Sequence, residues 1–394
     1  MKTGIKSIST TILALVFISS MTIFVSAEEM PVQVNAKSAV LMDCSTGKVL
    51  MSMNENEKLY PASVTKIMSM LLVTEAIDSG KIALSDTVTA SPDATAKGGS
   101  QIWLKEGETM TVDDLLKATA IGSANDACTA LADHIAGSEA GFVVMMNDRA
   151  KELGMENTFF ENCTGLDDTT ENHLTTAYDI ALMSRELINH ERITNYTTVW
   201  MDTLRGGETE LVNTNKLVRF YQGTTGFKTG TTSKAGHCLS ATAKRGETHL
   251  IAVVLGSANS TDRFEGAKAM LNWGFANYTT IQPEIDMSLI TNVNVLHGTQ
   301  KTITPTIPKS ENVLVKANKK DEIKQKVNLS VDVEAPIEKG QVLGTVDFLV
   351  DGEMIAQYNL TAEYGVDRLS FGDALRYLFT SLGNQDGLSK NMYN

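Results

Sequence analysis

The sequence predicts a mixed α and β domain followed by a small all-β domain, and three observations support this prediction. Two pairs of short apolar segments, each joined by a tight turn, predict β-hairpins early and late in the first 280 residues. Between the hairpins, apolar residues recur at helical spacing. After Tyr278 that spacing stops and short alternating segments take over.

The chain begins its folded part with a hairpin and a buried helix. The hairpin is predicted over residues 38–42 and 48–53, joined by Cys44-Ser45-Thr46-Gly47. The helix is predicted over residues 63–77, where apolar residues cover too many faces for a surface helix. We therefore expect this helix to lie inside the domain.

A helical lobe and a second hairpin follow. Helical patterns alternate with polar loops over about 112–187, and the clearest of them span 112–121, 126–135 and 140–153. Two strands are then predicted on either side of Arg245-Gly246-Glu247, over 236–244 and 248–256. A helix is predicted over 261–275, with Asp262 near its start.

The remaining chain is predicted to form a β domain and a tail. The alternating segments lie at 313–315, 327–333 and 346–350, and Asp351-Gly352 is typical of a two-residue hairpin turn. In the tail, apolar residues fall near one face of a predicted helix, at Leu369, Phe371, Leu375, Leu378, Phe379 and Leu382. Because the charges there are few and mixed, two alternatives stay open: peripheral contact with a membrane, and docking on the chain's own domain.

Composition and the first residues indicate an exported, acidic protein. Of 394 residues, 42% are hydrophobic, and 34 Lys and Arg against 47 Asp and Glu give a net charge of −13. This charge argues against a protein whose main partner is nucleic acid. Lys2 and Lys6 precede an apolar run that ends in Val25-Ser26-Ala27, which is typical of a cleaved export signal, with an uncleaved membrane anchor as the weaker alternative.

The expected organisation is therefore a signal peptide over 1–27, a main domain over 28–279, a β domain over 280–365 and an amphipathic tail over 366–394. Removal of the signal, which contains two Lys and no acidic residue, changes the net charge from −13 to −15. The expected location is extracytoplasmic, in the cell envelope, with peripheral contact on the outer face of the cytoplasmic membrane as one alternative. The four cysteines, Cys44, Cys128, Cys163 and Cys238, are widely spaced and are expected to be isolated core thiols.

The most informative motif is Ser63-Val64-Thr65-Lys66, at the start of the predicted buried helix. Residues three apart on a helix share a face, so the Lys66 amine can reach the Ser63 hydroxyl. Burial lowers the pKa of a lysine, and a neutral amine can accept the serine proton and make Ser63 a nucleophile. The motif alone occurs by chance in many proteins.

Two further motifs strengthen this hypothesis. Ser123-Ala124-Asn125 lies between two predicted helices, where it is compatible with either a helix cap or a cleft-lining pair. Lys228-Thr229-Gly230 lies in a strand-like segment, and its glycine permits close approach of another backbone. The order S-x-x-K, S-x-N, K-T-G is the motif set of penicillin-binding proteins and class A β-lactamases.

From Lys37 to Phe275, and more loosely to Gly365, the chain resembles the D-alanyl-D-alanine carboxypeptidases, which are low-molecular-mass penicillin-binding proteins of the serine-peptidase type. The supporting stretches are Tyr60-Pro61-Ala62-Ser63, Gly99-Ser100-Gln101, Gly165-Leu166-Asp167, Thr176-Ala177-Tyr178-Asp179 and Gly226-Phe227. The family often has Gly where this chain has Ala124 and His where it has Thr231. The resemblance implies the β-lactamase/transpeptidase fold, a five-stranded antiparallel sheet flanked by helices with a helical lobe.

The resemblance also implies a two-step acyl transfer to Ser63. Lys66 would remove the Ser63 proton, and Ser123 would pass a proton to the leaving amine. The backbone N–H groups of Ser63 and Thr231 would form the oxyanion hole. Asn125 would hold the amide on the acyl side of the scissile bond.

The same resemblance assigns the binding of the substrate carboxylate. Lys228 would supply positive potential that keeps Lys66 neutral, and Thr229 would bind the carboxylate, beside Gly230. Arg263 resembles a family arginine that supports the site, and Lys216 resembles a basic family position.

The implied substrate is the peptidoglycan stem pentapeptide, with β-lactams as covalent inhibitors and no metal or other cofactor. A β-lactamase is a less favoured alternative because none of Glu156, Glu161 and Glu171 begins the E-x-x-L-N pattern of that family. The other alternative is a non-catalytic envelope protein that binds stem peptides or partner proteins. The six histidines are scattered and match no catalytic signature.

Overall fold

The computed structural model describes residues 30–307, 310–373 and 375–376. The expected export signal over 1–27 and most of the expected tail lie outside these residues. Within the described ranges, no helix is both long enough and apolar enough to cross a lipid bilayer.

Among the described residues, the main sheet has five strands, and every neighbouring pair in it is antiparallel. In spatial order the strands are β2 (Val49–Met53), β1 (Ser38–Asp43), β9 (Thr248–Ser257), β8 (Gly236–Arg245) and β7 (Thr224–Thr232). Both predicted hairpins are confirmed, and so is the sheet that the family resemblance implied. The first and last parts of the domain meet where β1 pairs with β9.

The remaining elements of this domain are a helical lobe, a long helix on the opposite face of the sheet, and two small hairpins. The helices are α1 (Lys66–Asp78), α2 (Pro92–Thr95), α3 (Val112–Lys117), α4 (Asn125–Ala136), α5 (Glu139–Glu152), α6 (Ala177–Ile188), α7 (Thr194–Thr197), α8 (Leu217–Phe220) and α9 (Ser260–Asn277). The small hairpins are β3 (Thr87–Thr89) with β4 (Thr109–Thr111), and β5 (Met201–Leu204) with β6 (Thr209–Val212).

The sheet is buried on both faces because its strands alternate between two cores. In β1, Val40 and Met42 pack with the helical lobe, whereas Ala39 and Leu41 pack with α9. This is the two-residue period of a strand, with an apolar residue on each face. Helix α9 is capped by Asn259, which accepts the backbone N–H of Asp262, so Asp262 lies in the first turn as predicted and does not itself cap the helix.

Helix α1 is buried on almost all sides, as its apolar pattern predicts. It begins at Lys66, and Ser63 lies on the preceding 3₁₀ turn (Ala62–Thr65) and not on the α-helix itself. In a 3₁₀ turn, residues three apart are eclipsed, so this geometry aligns the two side chains closely. The predicted helix over 112–121 also divides, into α3 and a π-helical turn (Ala118–Gly122) that ends at Ser123.

The second part of the chain consists mainly of β-strands, with two short 3₁₀ helices (Met287–Leu289 and Ala317–Glu322) and a helical turn at 371–373. Its strands are β10 (Tyr278–Ile281), β11 (Val293–Leu296), β12 (Thr302–Ile303), β13 (Pro305–Thr306), β14 (Val313–Lys316), β15 (Lys324–Leu329), β16 (Asp332–Glu334), β17 (Val342–Val350) and β18 (Glu353–Ala362). Asp351 and Gly352 both have positive φ, which matches the tight turn predicted between β17 and β18. The segment 327–333 is not one strand as predicted, because β15 and β16 belong to different sheets.

The four cysteines are buried and free, as predicted. Two of them are not isolated, however, because the Cys128 thiol donates a hydrogen bond to the Cys163 carbonyl at 3.3 Å. Their spacing in the sequence does not reveal this contact, because α4 and the loop of residues 161–170 (the 160s loop) meet only in the folded domain.

Gly165 brings the 160s loop against the turn that carries Ser63. Its φ is +83°, and a Cβ placed there would lie 1.9 Å from the Ala62 carbonyl oxygen. Only glycine, which has no Cβ, fits this combination of backbone angle and contact.

We expect Gly165→Ala to displace the Ala62–Thr65 turn and to slow acylation of Ser63 by a labelled penicillin more than tenfold. Gly154→Ala is the matched control, because Gly154 has φ +73° but no atom within 4 Å of its Cβ position. The control should lose about 1 kcal/mol of stability and should acylate normally. Equal acylation rates in the two variants would show that the contact with Ala62 does not position the nucleophile.

Candidate active site

Lys66 is fully buried at the centre of the site. Its Nζ lies 3.0 Å from Ser63 Oγ, 2.5 Å from Asn125 Oδ1 and 2.8 Å from the Thr164 carbonyl oxygen. Asn125 comes from the start of α4, and Thr164 comes from the 160s loop. The amine therefore joins three separate segments of the domain.

These partners determine what the amine can do in its neutral form. The Thr164 carbonyl can only accept hydrogen bonds, and the Asn125 oxygen also only accepts. A neutral amine that donates its two protons to these oxygens has its lone pair left for the Ser63 hydroxyl proton. Burial lowers the pKa of Lys66 to about 8, so the neutral form is accessible near physiological pH.

Asn125 is held in one orientation by its surroundings. Its Nδ2 donates to the Gly98 carbonyl at 2.7 Å, which directs Oδ1 to Lys66. Its backbone N–H donates to the Ser100 carbonyl at 2.7 Å. Gly99 has φ +73°, and a Cβ there would lie 2.8 Å from Asn125 Nδ2. The backbone at Gly99 can therefore approach Asn125 closely because glycine has no side chain.

Ser123 is the hinge between the π-helical turn and α4. It has a left-handed backbone, with φ 63° and ψ 26°, and its N–H donates to the Ala118 carbonyl. Its side chain is buried, and within the described residues its hydroxyl makes no hydrogen bond. A hydroxyl without a protein partner is available for a bound substrate.

Lys228 and Thr229 form a second polar group with Thr214. Thr229 Oγ1 donates to Thr214 Oγ1 at 2.7 Å, and Lys228 Nζ lies 3.3 Å from the Thr229 carbonyl and 3.5 Å from Thr214 Oγ1. Lys228 is fully buried. Burial, together with repulsion from Lys66 and Arg263, holds the pKa of Lys228 well below its usual value.

Gly230 brings β7 against the backbone of the 3₁₀ turn Ala62–Thr65, which carries Ser63 and is called the nucleophile turn below. A Cβ at Gly230 would lie 2.9 Å from the Ser63 nitrogen and 2.7 Å from the Pro61 carbonyl oxygen. The edge of β7 that carries Thr231 therefore runs beside the Ser63 backbone. This is the arrangement that two convergent N–H donors require.

Arg263 fixes the end of β7 from α9. Its Nη1 donates to the Gly230 carbonyl at 2.8 Å, to Thr231 Oγ1 at 3.0 Å and to the Cys238 carbonyl at 3.2 Å. It is buried, and burial lowers its pKa. His237 is paired with Thr231 across the β7–β8 hairpin, with Nδ1 3.3 Å from Thr231 Oγ1.

The 160s loop is also tied to β7 and, through Lys234, to Tyr60, two residues before the turn that carries Ser63. Thr232 Oγ1 donates to Asp167, and Lys234 Nζ donates to the carbonyls of Asp167 and Thr170 at 2.6 and 3.0 Å. The Lys234 ammonium lies 5.2 Å from the centre of the Tyr60 ring. These contacts close one side of the site.

Most residues singled out in the sequence converge here, and one does not. Lys216 is exposed at the start of α8, and among the described residues no side-chain hydrogen bond or ion pair of Lys216 is present. Three further groups at the site, Thr214, the Thr164 carbonyl and His237, were not predicted from the sequence. The cross-strand position of His237 opposite Thr231 could have been read from the hairpin register, whereas the other two depend on loop conformation.

One cluster outside the site has the atom types of a metal centre. Glu75, Glu186 and His190 place one ligand atom each within 4.8 Å of one another. Both carboxylates already pair with Arg149, at 2.8 and 2.6 Å, and His190 pairs with Asp78. This cluster is explained as an ion-pair network.

Comparisons with known proteins identify the family of this chain. Residues 24–259 match the D-alanyl-D-alanine carboxypeptidase family of serine peptidases, and residues 282–368 match the C-terminal domain of penicillin-binding protein 5. The D-alanyl-D-alanine carboxypeptidase DacF of Bacillus subtilis is 44% identical over 85% of this chain and 87% of its own length. DacC of Escherichia coli is 37% identical over 86% of both chains.

Solved structures give the same result. Penicillin-binding protein 5 from Haemophilus influenzae matches with a TM-score of 0.76 and 31% identity, over 86% of this chain and 100% of that chain. The sequence and the fold thus agree on the family. The chain belongs to the D-alanyl-D-alanine carboxypeptidase family, and its activity is that of a serine-type D-alanyl-D-alanine carboxypeptidase.

Proposed function

We propose that this chain removes the terminal D-alanine from peptidoglycan stem pentapeptides through an acyl-enzyme on Ser63. The observation that carries the proposal is the contact of the buried Lys66 amine with Ser63 Oγ, 3.0 Å apart, while two obligate acceptors occupy the other sides of the amine. A solvated lysine with an ordinary pKa would be charged and could not accept a proton.

The reaction proceeds in two steps. As Lys66 takes its proton, Ser63 Oγ forms a bond to the carbonyl carbon between the last two D-alanines. The N–H groups of Ser63 and Thr231 stabilise the oxyanion that develops. The C–N bond then breaks, the leaving amine receives a proton through Lys66 and Ser123, and water hydrolyses the ester to restore Ser63.

The charge of Lys228, beside which the substrate carboxylate would bind, is linked to the protonation of Lys66. The substrate's terminal carboxylate would bind beside Lys228 and Thr229, with Arg263 supporting Thr231. A bound anion favours the charged form of Lys228, and the charged Lys228 in turn favours the neutral form of Lys66. Substrate binding therefore prepares the base. Asn125 would hold the amide on the acyl side, next to its contact with Lys66.

The two alternative functions have less support. The three acidic residues weighed as activators of a deacylating water are Glu156, Glu161 and Glu171, and within the described residues none hydrogen-bonds to Ser63 or Lys66. We therefore expect penicillin to acylate Ser63 and the acyl-enzyme to hydrolyse slowly. In a β-lactamase, the acyl-enzyme would be hydrolysed rapidly. A pure binding protein has no use for a nucleophile in contact with a base.

We also infer that the chain is exported, with the domains divided at 28–279 and 280–365 and a tail from 366. The location follows from the charge pattern of residues 1–27 and from a substrate class that occurs outside the cytoplasm. In the tail, Phe371 and Leu375 are 84% and 45% exposed. Their exposure supports peripheral membrane contact.

The direct test is release of D-alanine from diacetyl-L-Lys-D-Ala-D-Ala by the purified protein. We expect Ser63→Ala to reduce release by more than ~1000-fold and penicillin pretreatment to abolish it. Stoichiometric labelling of Ser63 by penicillin with no release of D-alanine from this peptide or from cross-linked peptidoglycan would refute the proposal and favour a binding role.

The acid limb of the pH–rate profile should follow Lys66. Because the base acts only when neutral, kcat/KM should fall about tenfold per pH unit below pH 8 and level off above it. In the substrate complex, where the bound carboxylate keeps Lys228 charged, Lys228→Met removes this positive charge, so the pKa of Lys66 should rise and the acid limb of kcat should move to higher pH. Lys216→Met, at an exposed position, is the control and should not move it. A profile that is flat from pH 6 to 9 would contradict the role of Lys66.

A further inference from the structure

Trp103 is a large apolar side chain in an unusual position. Its side chain is 74% exposed, and its backbone is left-handed, with φ +60°. Exposure gives the indole no burial energy, and the left-handed region is unfavourable for any residue with a Cβ. Neither feature helps the domain to fold, so another contribution must explain the arrangement.

The backbone on both sides of Trp103 is fixed by a buried carboxylate. Asp126 is fully buried on α4, directly after Asn125. It accepts the N–H of Ile102 at 3.2 Å and the N–H of Leu104 at 3.0 Å. These bonds to the two flanking amides fix the backbone that carries the indole.

The β5–β6 hairpin provides a second clamp. Arg205, at its tip, donates from Nη1 to the Ile102 carbonyl at 2.9 Å and from Nε to Glu108 at 2.8 Å. Ile102, which precedes Trp103, is thus held at both its N–H and its carbonyl. A side chain presented on so rigid a support is pre-organised for binding.

The segment that carries Trp103 begins at the active site. The carbonyls of Gly98 and Ser100 accept hydrogen bonds from Asn125, whose Oδ1 contacts Lys66. In the proposed binding mode, Asn125 marks the acyl side, from which the stem peptide leads back to its sugar. Trp103 lies five residues beyond Gly98, at most ~17 Å along the chain.

We propose that Trp103 is a specificity-determining residue that binds the saccharide to which the stem peptide is attached. This inference rests on the proposed function. An exposed indole offers a flat apolar face and an N–H donor, which suit the C–H face and hydroxyls of a sugar ring. Four extended residues from the scissile carbonyl to the sugar span roughly 13 Å, a reach comparable to that of the 98–103 segment.

The test compares two substrates that differ only in the sugar, the free stem pentapeptide and the disaccharide pentapeptide. We expect Trp103→Ala to raise the ratio of KM for the disaccharide pentapeptide to KM for the free pentapeptide about fivefold, the effect of losing one aromatic contact. Trp103→Phe should restore part of the discrimination. Val144→Ala, which removes an apolar side chain 61% exposed on α5, is the control and should leave the ratio unchanged.

Binding of both ligands to Ser63→Ala and to Ser63→Ala/Trp103→Ala, measured by calorimetry, gives the same comparison without turnover. It separates this proposal from the proposed function, whose failure would appear as no D-alanine release by the parent enzyme. An equal loss of affinity for both ligands would indicate that Trp103 contacts the peptide, and would overturn the assignment to the saccharide. Unchanged affinity for both ligands would overturn it as well.

Discussion

The site depends on one buried amine. Lys66 Nζ contacts a 3₁₀ turn, the start of α4 and the 160s loop through three oxygens. Each contact satisfies a hydrogen-bonding group that would otherwise be costly to bury, so the three segments are stabilised by the same group that we propose as the catalytic base. The close approaches at Gly165 and Gly230 serve this arrangement, because each brings a backbone within contact distance of the nucleophile turn.

The two lysines divide the work by position. Both are fully buried, and burial together with repulsion from Lys66 lowers the pKa of Lys228, but only Lys66 touches Ser63. Lys228 lies on β7 with the threonine hydroxyls, where a carboxylate can neutralise its charge. In the proposed mechanism, the sheet therefore supplies the group that binds the carboxylate and the helical lobe supplies the base, and substrate that binds between the two couples them.

The sequence predicts the parts of this site that follow a local rule. The i, i+3 spacing of Ser63 and Lys66, the helix boundary at Asn125 and the strand at Lys228 are all local, and each is confirmed in the fold. Thr214 and the Thr164 carbonyl could not be predicted, because their positions depend on loops whose conformation is set by distant contacts. The division of 327–333 into two strands has the same origin, since alternation does not show where a chain changes sheets.

The protonation of Lys66 is the central claim, and it can be measured without substrate. Protein with ¹⁵N-labelled lysine side chains can be titrated by NMR, and the Lys66 signal can be assigned by its loss in Lys66→Met. We expect Lys66 to titrate near 8, far below the ordinary value of 10.5. A Lys66 amine that stays charged to pH 10 would contradict its role as the base that activates Ser63.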